Sequence, residues 1–69
     1  MEIIIEPGRA TYIAGTGDWR LVIDRNLFEI QPQVGQFAYE SGINLDNLVD
    51  LIVAAKADAI ERGINWNGE

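Results

Sequence analysis

Through the first thirty residues the apolar positions recur every second residue, in short runs broken by turn formers. In Trp19-Arg20-Leu21-Val22-Ile23-Asp24 one face carries Trp19, Leu21 and Ile23, the other Arg20, Val22 and Asp24. That is the period of a strand with one buried side. Thr11-Tyr12-Ile13-Ala14 and Ile3-Ile4-Ile5 are shorter and rich in β-branched or aromatic residues, which favour the pleated conformation. Between the runs stand Pro7-Gly8, Gly15-Thr16-Gly17-Asp18 and Asp24-Arg25-Asn26. Such gaps suit hairpins and are too short for crossovers, so an antiparallel meander is expected. Pro7 cannot take positive φ, which predicts a type I or II turn inside a longer first loop. Leu27-Phe28-Glu29-Ile30 supplies a fourth strand, ending at Gln31 because Pro32 follows.

From residue 44 the period changes to that of a helix. Leu45, Leu48, Val49, Ile52, Ala59 and Ile60 fall on one side at 100° per residue. Asn44 is placed as the N-cap, Asp46 lies in the first turn, and Gly63 follows Arg62 as a terminating glycine does. The pattern predicts a long amphipathic helix over 44–63, caps included, and a tail over 64–69. Residues 32–42 read as a short helix or loop: Val34, Phe37, Ala38 and Ser41 have helical spacing closed by Gly42, and Gly35 weakens it. The expected fold class is α+β, a three- to four-stranded antiparallel meander followed by one long C-terminal helix packed on a sheet face. The whole of 1–69 reads as a single small domain, with strands over 1–31.

Composition narrows what such a domain does. The chain has no cysteine and no histidine, so disulfides, thiolate metal sites and the commonest general base are all missing. Cys-His and Ser-His dyads are thereby excluded. The single serine, Ser41, and the single lysine, Lys56, lie on different predicted elements. Gly15-x-Gly17 lacks the third glycine of a dinucleotide loop, since position 20 is arginine and a strand follows. Asp24-x-Asn26 starts like a calcium loop, yet Phe28 and Glu29 occupy positions that need a ligand and the turn glycine. No enzyme activity, no metal and no cofactor are expected.

Five basic against eleven acidic residues give a net charge of −6, the wrong sign for neutralising phosphates, so direct nucleic-acid binding is not expected. The start Met1-Glu2-Ile3-Ile4-Ile5-Glu6 lacks the basic region and long apolar stretch of a secretory signal. No run approaches a membrane span. A cytoplasmic location without membrane contact is the expectation.

One feature of the predicted helix carries a binding hypothesis. Asp46, Asp50, Asp58 and Glu61 share an arc of roughly 120°, forming a stripe about 22 Å long with no basic residue inside it. Ordinary amphipathic helices also show a charged back, and most such stripes are simply solvated. Leu51 falls on the same side, among the acids, while Lys56 falls on the apolar side. With Trp66 from the tail, Leu51 would give the stripe an apolar anchor, the composition of an interface hot spot. Trp66 has a second role open to it, pinning the tail back on the domain.

The reading that follows is a small acidic, non-enzymatic protein-binding module that covers a basic surface of a larger partner, with Asp46, Asp50, Leu51, Asp58, Glu61 and Trp66 as contacts. An inhibitor imitating nucleic-acid phosphates would work in this way. Small phage-encoded antagonists, anti-CRISPR proteins among them, share this size and charge, an analogy of composition alone. The alternative is a structural subunit that pairs with copies of itself through the sheet edge or the helix, as a homodimer or larger assembly, to stabilise a small core. Should the helix stripe be ordinary surface, the sheet around Arg20, Val22 and Tyr12 is the next place to look.

Overall fold

The computed structural model describes residues 1–25, 27–33 and 45–66. Four strands follow one another, β1 (Glu2–Glu6), β2 (Arg9–Ile13), β3 (Trp19–Asp24) and β4 (Leu27–Pro32), and then one helix, α1 (Leu45–Glu61). The strands pair antiparallel in the order β1-β2-β3-β4. This is the α+β meander that the alternation predicts. β4 includes Pro32, so it runs one residue past the expected end at Gln31 and into the segment 32–42 read as a short helix or loop. The rest of that segment, 34–42, and the anticipated cap at Asn44 lie outside the described residues.

The turns follow from their residues. Glu6 pairs directly with Arg9, so the first loop is Pro7-Gly8 alone, tighter than the longer loop expected. Pro7 sits where φ near −65° is needed, and Gly8 takes φ 74°, the combination of a type II turn. Arg25 adopts φ 57° after β3, and its amide donates to the Gly8 carbonyl at 2.9 Å, tying two turns at one end of the sheet. At the far end of α1 the Ile64 amide reaches the Ala59 carbonyl at 2.8 Å and the Gly63 amide reaches Ile60 at 3.1 Å. With Gly63 at φ 76°, these two bonds make a Schellman cap.

Register sorts the side chains into faces. Ala10 stands opposite Ile23, Tyr12 opposite Leu21, and Ile23 opposite Phe28. Ala10, Tyr12, Leu21 and Ile23 face α1 and form the core with Ala14, Trp19, Leu51, Ala55 and Ala59, while Phe28, Leu48, Ile52, Ile64 and Trp66 pack on its margin. The predicted inward face of β3 is therefore observed. Tyr12 belongs to that face and is fully buried, so it does not share a surface with Arg20 and Val22. On the opposite face Arg20 donates to the Gln31 amide oxygen, and Gln31 donates to Glu29 at 2.7 Å.

The helix is turned relative to expectation. Its buried residues are Leu51, Ala55 and Ala59, spaced four apart, with Leu48 and Ile52 half-buried beside them. Leu45, Val49 and Ile60, expected inside, point outward and are exposed, as is Val53. The cause is steric. Trp19, Tyr12 and Leu21 fill the sheet face, and a close-packed interface accepts alanines opposite such bulk more readily than further large side chains.

Candidate protein-binding surface

Three contacts fix α1 on the sheet and thereby decide which of its side chains remain available. Near its start, the Asn47 side-chain amide donates to Asp18 at 2.9 Å and to Thr16 at 3.3 Å, both in the β2–β3 loop. The Thr16 hydroxyl also donates to Asp18. These bonds from Asn47 and Thr16 hold the Asp18 carboxyl below the usual carboxylate range. Near its end, the Tyr12 hydroxyl rises from the core and donates to Asp58 Oδ2 at 2.8 Å. The same oxygen accepts from Arg62 Nε at 2.7 Å, one turn along. Beyond the cap, the Trp66 ring meets Phe28 of β4 edge-on, with centroids 5.0 Å apart and planes at 81°, a favoured aromatic geometry.

The electrostatics of the Tyr12–Asp58–Arg62 group are mutually consistent. Arg62 chiefly, and Tyr12 next, lower the Asp58 carboxyl against the opposing effect of its partial burial. Burial, followed by the hydrogen bond to Asp58, pushes the Tyr12 phenol up to about 12. Asp58 in turn raises the Arg62 guanidinium above its ordinary value. Asp58 is thus a neutralised, inward-turned acid that joins helix to sheet.

Each residue singled out in the sequence can now be placed. Asp46, Asp50 and Glu61 are exposed on the outside of α1. Asp58 is half-buried and engaged as described, so it is not part of an open acidic row. Leu51 is buried at 3% exposure in the centre of the core. Its assignment as an exposed anchor among the acids is corrected, because the rotation of α1 carries that position against the sheet. Trp66 is half-buried on Phe28 and serves the pinning role. Lys56, expected to lie on the apolar side, is half-buried.

The sequence reading missed the feature that replaces Leu51. Leu45, Val49, Val53 and Ile60 form a line along the outside of α1, each between 56% and 65% exposed. At 100° per residue this line adjoins the arc of Asp46, Asp50 and Glu61. A signal was available. Apolar residues on α1 span roughly 200° of arc from Leu51 round to Val53, wider than one sheet face can cover. Some had to remain outside, and the 51-55-59 row of one leucine and two alanines marks the tighter, inner side.

No helix among the described residues is long and apolar enough to cross a membrane. Nor do three acidic side chains among them gather in a group that could hold a metal ion. No family model matches the chain, and no curated protein or solved structure is found to be similar to it.

Proposed function

We propose that this chain is a non-catalytic protein-binding module whose contact surface is the outer side of α1. The observation that carries the reading is the exposed line Leu45, Val49, Val53 and Ile60 beside Asp46, Asp50 and Glu61. Apolar side chains arranged in a row supply contact area, while the adjoining carboxylates select a partner surface in which an apolar groove is bordered by lysines or arginines. With a net charge of −6, approach to a basic surface is accelerated and approach to an acidic one suppressed. Occupying a basic groove in this way makes the module an inhibitor wherever that groove otherwise receives nucleic acid.

The apolar line also supports a second reading, self-association through the same side of α1. The two separate in solution. Sedimentation across a hundredfold concentration range, with melting followed in parallel, shows a concentration-dependent species only if copies pair. Basic proteins captured on immobilised wild-type chain are then tested against Val49→Asp/Val53→Asp and Asp50→Lys/Glu61→Lys. The binding reading requires that the first pair accelerates dissociation and that the second slows association and removes its salt dependence. A partner that binds both variants as it binds the wild type refutes the assignment of this face.

A further inference from the structure

A second surface lies at the free edge of the sheet, along β1. β1 terminates the sheet, so one edge of its backbone has no neighbouring strand among the described residues. All five of its residues are exposed. Strand edges of this kind are templates for another strand and are ordinarily blunted by proline, lysine, a bulge or a cover. β1 has none of the first three: Glu2-Ile3-Ile4-Ile5-Glu6 runs in unbroken register with Ile13 through Arg9. The other edge, β4, differs in that it ends in Pro32 and has Phe28 covered by Trp66.

What β1 does have is a glutamate at each end, and these decide the occupant. A second copy would join by antiparallel β1–β1 pairing about a two-fold axis through Ile4. That register, which matches all three isoleucines, sets Glu2 of each copy opposite Glu6 of the other. Like charges directly opposite are destabilising. Shifting by two residues to relieve them puts a glutamate opposite an isoleucine, and shifting towards the turn brings in Pro7, which has no amide to donate. Arg9 pairs with Glu6 from the β2 side, and Arg9 and Arg25 share a hollow with Glu6, so Glu2 is the less compensated of the two acids. The open edge itself is thus apolar in the middle and acidic at both ends.

Two hollows lie on the helix-facing side of this strand, near its two ends. One, of about 280 Å3, is walled by Met1, Ala14, Asp50, Leu51 and Ala54. The other, of about 240 Å3, is walled by Ile5, Ala10, Ile23 and Ile64, with Glu6, Arg9 and Arg25 at its rim. Ile5 itself lines the second hollow, and register places Ile3 and Ile5 on the same face as Tyr12 and Ala10. Asp50 adds a further carboxylate at the Glu2 end.

We propose that β1 is a docking edge for an extended segment of another protein that reads basic–apolar–apolar–apolar–basic and adds as a fifth strand. Main-chain hydrogen bonds along β1 supply the affinity, and the two terminal ion pairs with Glu2 and Glu6 supply the selection. The apolar side chains that fall on the helix side lie over Ile3 and Ile5, towards the hollows.

The test uses three synthetic peptides and the full chain. The first has three valines flanked by lysines, the second has glutamates in place of the lysines, and the third repeats the first with alternate amides N-methylated. Amide exchange and NMR shifts at Ile3, Ile4 and Ile5 are the readout. The lysine peptide is expected to protect those of these amides that point away from β2, since alternate residues of an antiparallel strand bond to opposite sides. It should bind about tenfold more tightly than the glutamate peptide, with two end pairs of modest strength gained and two like-charge pairs avoided. Glu2→Lys/Glu6→Lys, checked for retained shift dispersion, should reverse that order, and the N-methylated peptide should not bind. Val49→Asp/Val53→Asp should bind the lysine peptide unchanged, which keeps this edge independent of the face on α1. Equal binding of the lysine and glutamate peptides, or no protection of β1 by either, overturns the proposal. So does protection of the β1 amides that grows with protein concentration alone, which would assign the edge to a second copy.

Discussion

The two long sides of α1 invert the usual relation between residue size and burial. The side against the sheet carries Leu51, Ala55 and Ala59, and the side away from it carries Leu45, Val49, Val53 and Ile60. Transfer free energy alone would bury the second set, since each large side chain removed from water contributes about 1.5–3 kcal/mol and alanine far less. Fit reverses the preference. Tyr12 and Leu21 are fully buried under the helix, and the sheet already supplies the volume of the core. Alanines let the helix backbone come close enough for Asp58 to reach the Tyr12 hydroxyl and for Asn47 to reach Asp18. The apolar side chains Leu45, Val49, Val53 and Ile60 are thereby left in water.

The largest effect expected from this contrast is at Leu51. Leu51→Ala should cost about 2–5 kcal/mol, the range for emptying a packed core position. Leu45→Ala, the same substitution on the outer side, should stay within about 0.5 kcal/mol. Urea denaturation of the two variants checks the pair. Equal midpoints would mean that α1 lies on the sheet by another face. Next in size is overpacking on the inner side. Ala55→Leu or Ala59→Leu has no room against the sheet and should destabilise by about 1–3 kcal/mol, although leucine is as good a helix former in isolation. A gain in stability from either would show that the inner side is loosely packed.

Tyr12 sharpens the comparison from the sheet. Tyr12→Phe keeps the ring in the core but removes the donor to Asp58, a bond to a charged acceptor worth about 1.5–3 kcal/mol before the ring's own adjustment. The pH dependence carries the same signature. Because the folded phenol titrates at about 12 rather than 10, its contribution to stability is complete below pH 10 and is lost as pH rises from 10 towards 12. Wild type should therefore lose stability more steeply than Tyr12→Phe across that interval, by roughly 1 kcal/mol per pH unit. On the acid side Asp58 is lowered by Arg62 and Tyr12. Its contribution is present above the ordinary carboxylate range and disappears as pH falls through its folded value. Parallel curves for the two proteins in alkali would mean that the Tyr12 hydroxyl is neither buried nor bonded to Asp58.

How much of this was legible in the sequence depends on whether neighbours along the chain or neighbours in space decide it. The limits of β3, the strand order, the helix and its glycine cap were legible because Trp19, Leu21 and Ile23 alternate, the turns are short, and Gly63 follows the last helical turn. β2 begins two residues before the expected run and β4 runs on through Pro32. The short first loop was not, because the two-residue turn at Pro7-Gly8 departs from the primed types that hairpins usually select. The rotation of α1 was illegible to a count of large apolar residues, since Leu45, Val49 and Ile60 outweigh Ala55 and Ala59 in any such sum. Leu51 looked misplaced for the same reason, although it is the centre of the true inner row. Among the acids, Asp46, Asp50 and Glu61 were correctly read as outward. Asp58 differs only because Tyr12 stands 46 positions earlier in the chain, a distance no local pattern spans.

The smallest stability effect is expected where the functional reading has most at stake. Val49 and Val53 are 56% and 65% exposed, so Val49→Ser/Val53→Ser should change the urea midpoint by no more than about 0.5 kcal/mol equivalent. Serine and valine have similar helix propensities, which leaves little backbone effect to confuse the result. An exposed apolar row costs solubility in the isolated domain, and burial on a partner would remove that cost. The double variant should accordingly be at least as soluble and as stable as the wild type, and should lose affinity only when a partner is present, through faster dissociation. A fall in stability of 2 kcal/mol or more (about the loss at a buried position) would place these valines inside a contact of the folded chain. The outer side of α1 would then cease to be a candidate for binding, and the docking edge at β1 would stand alone.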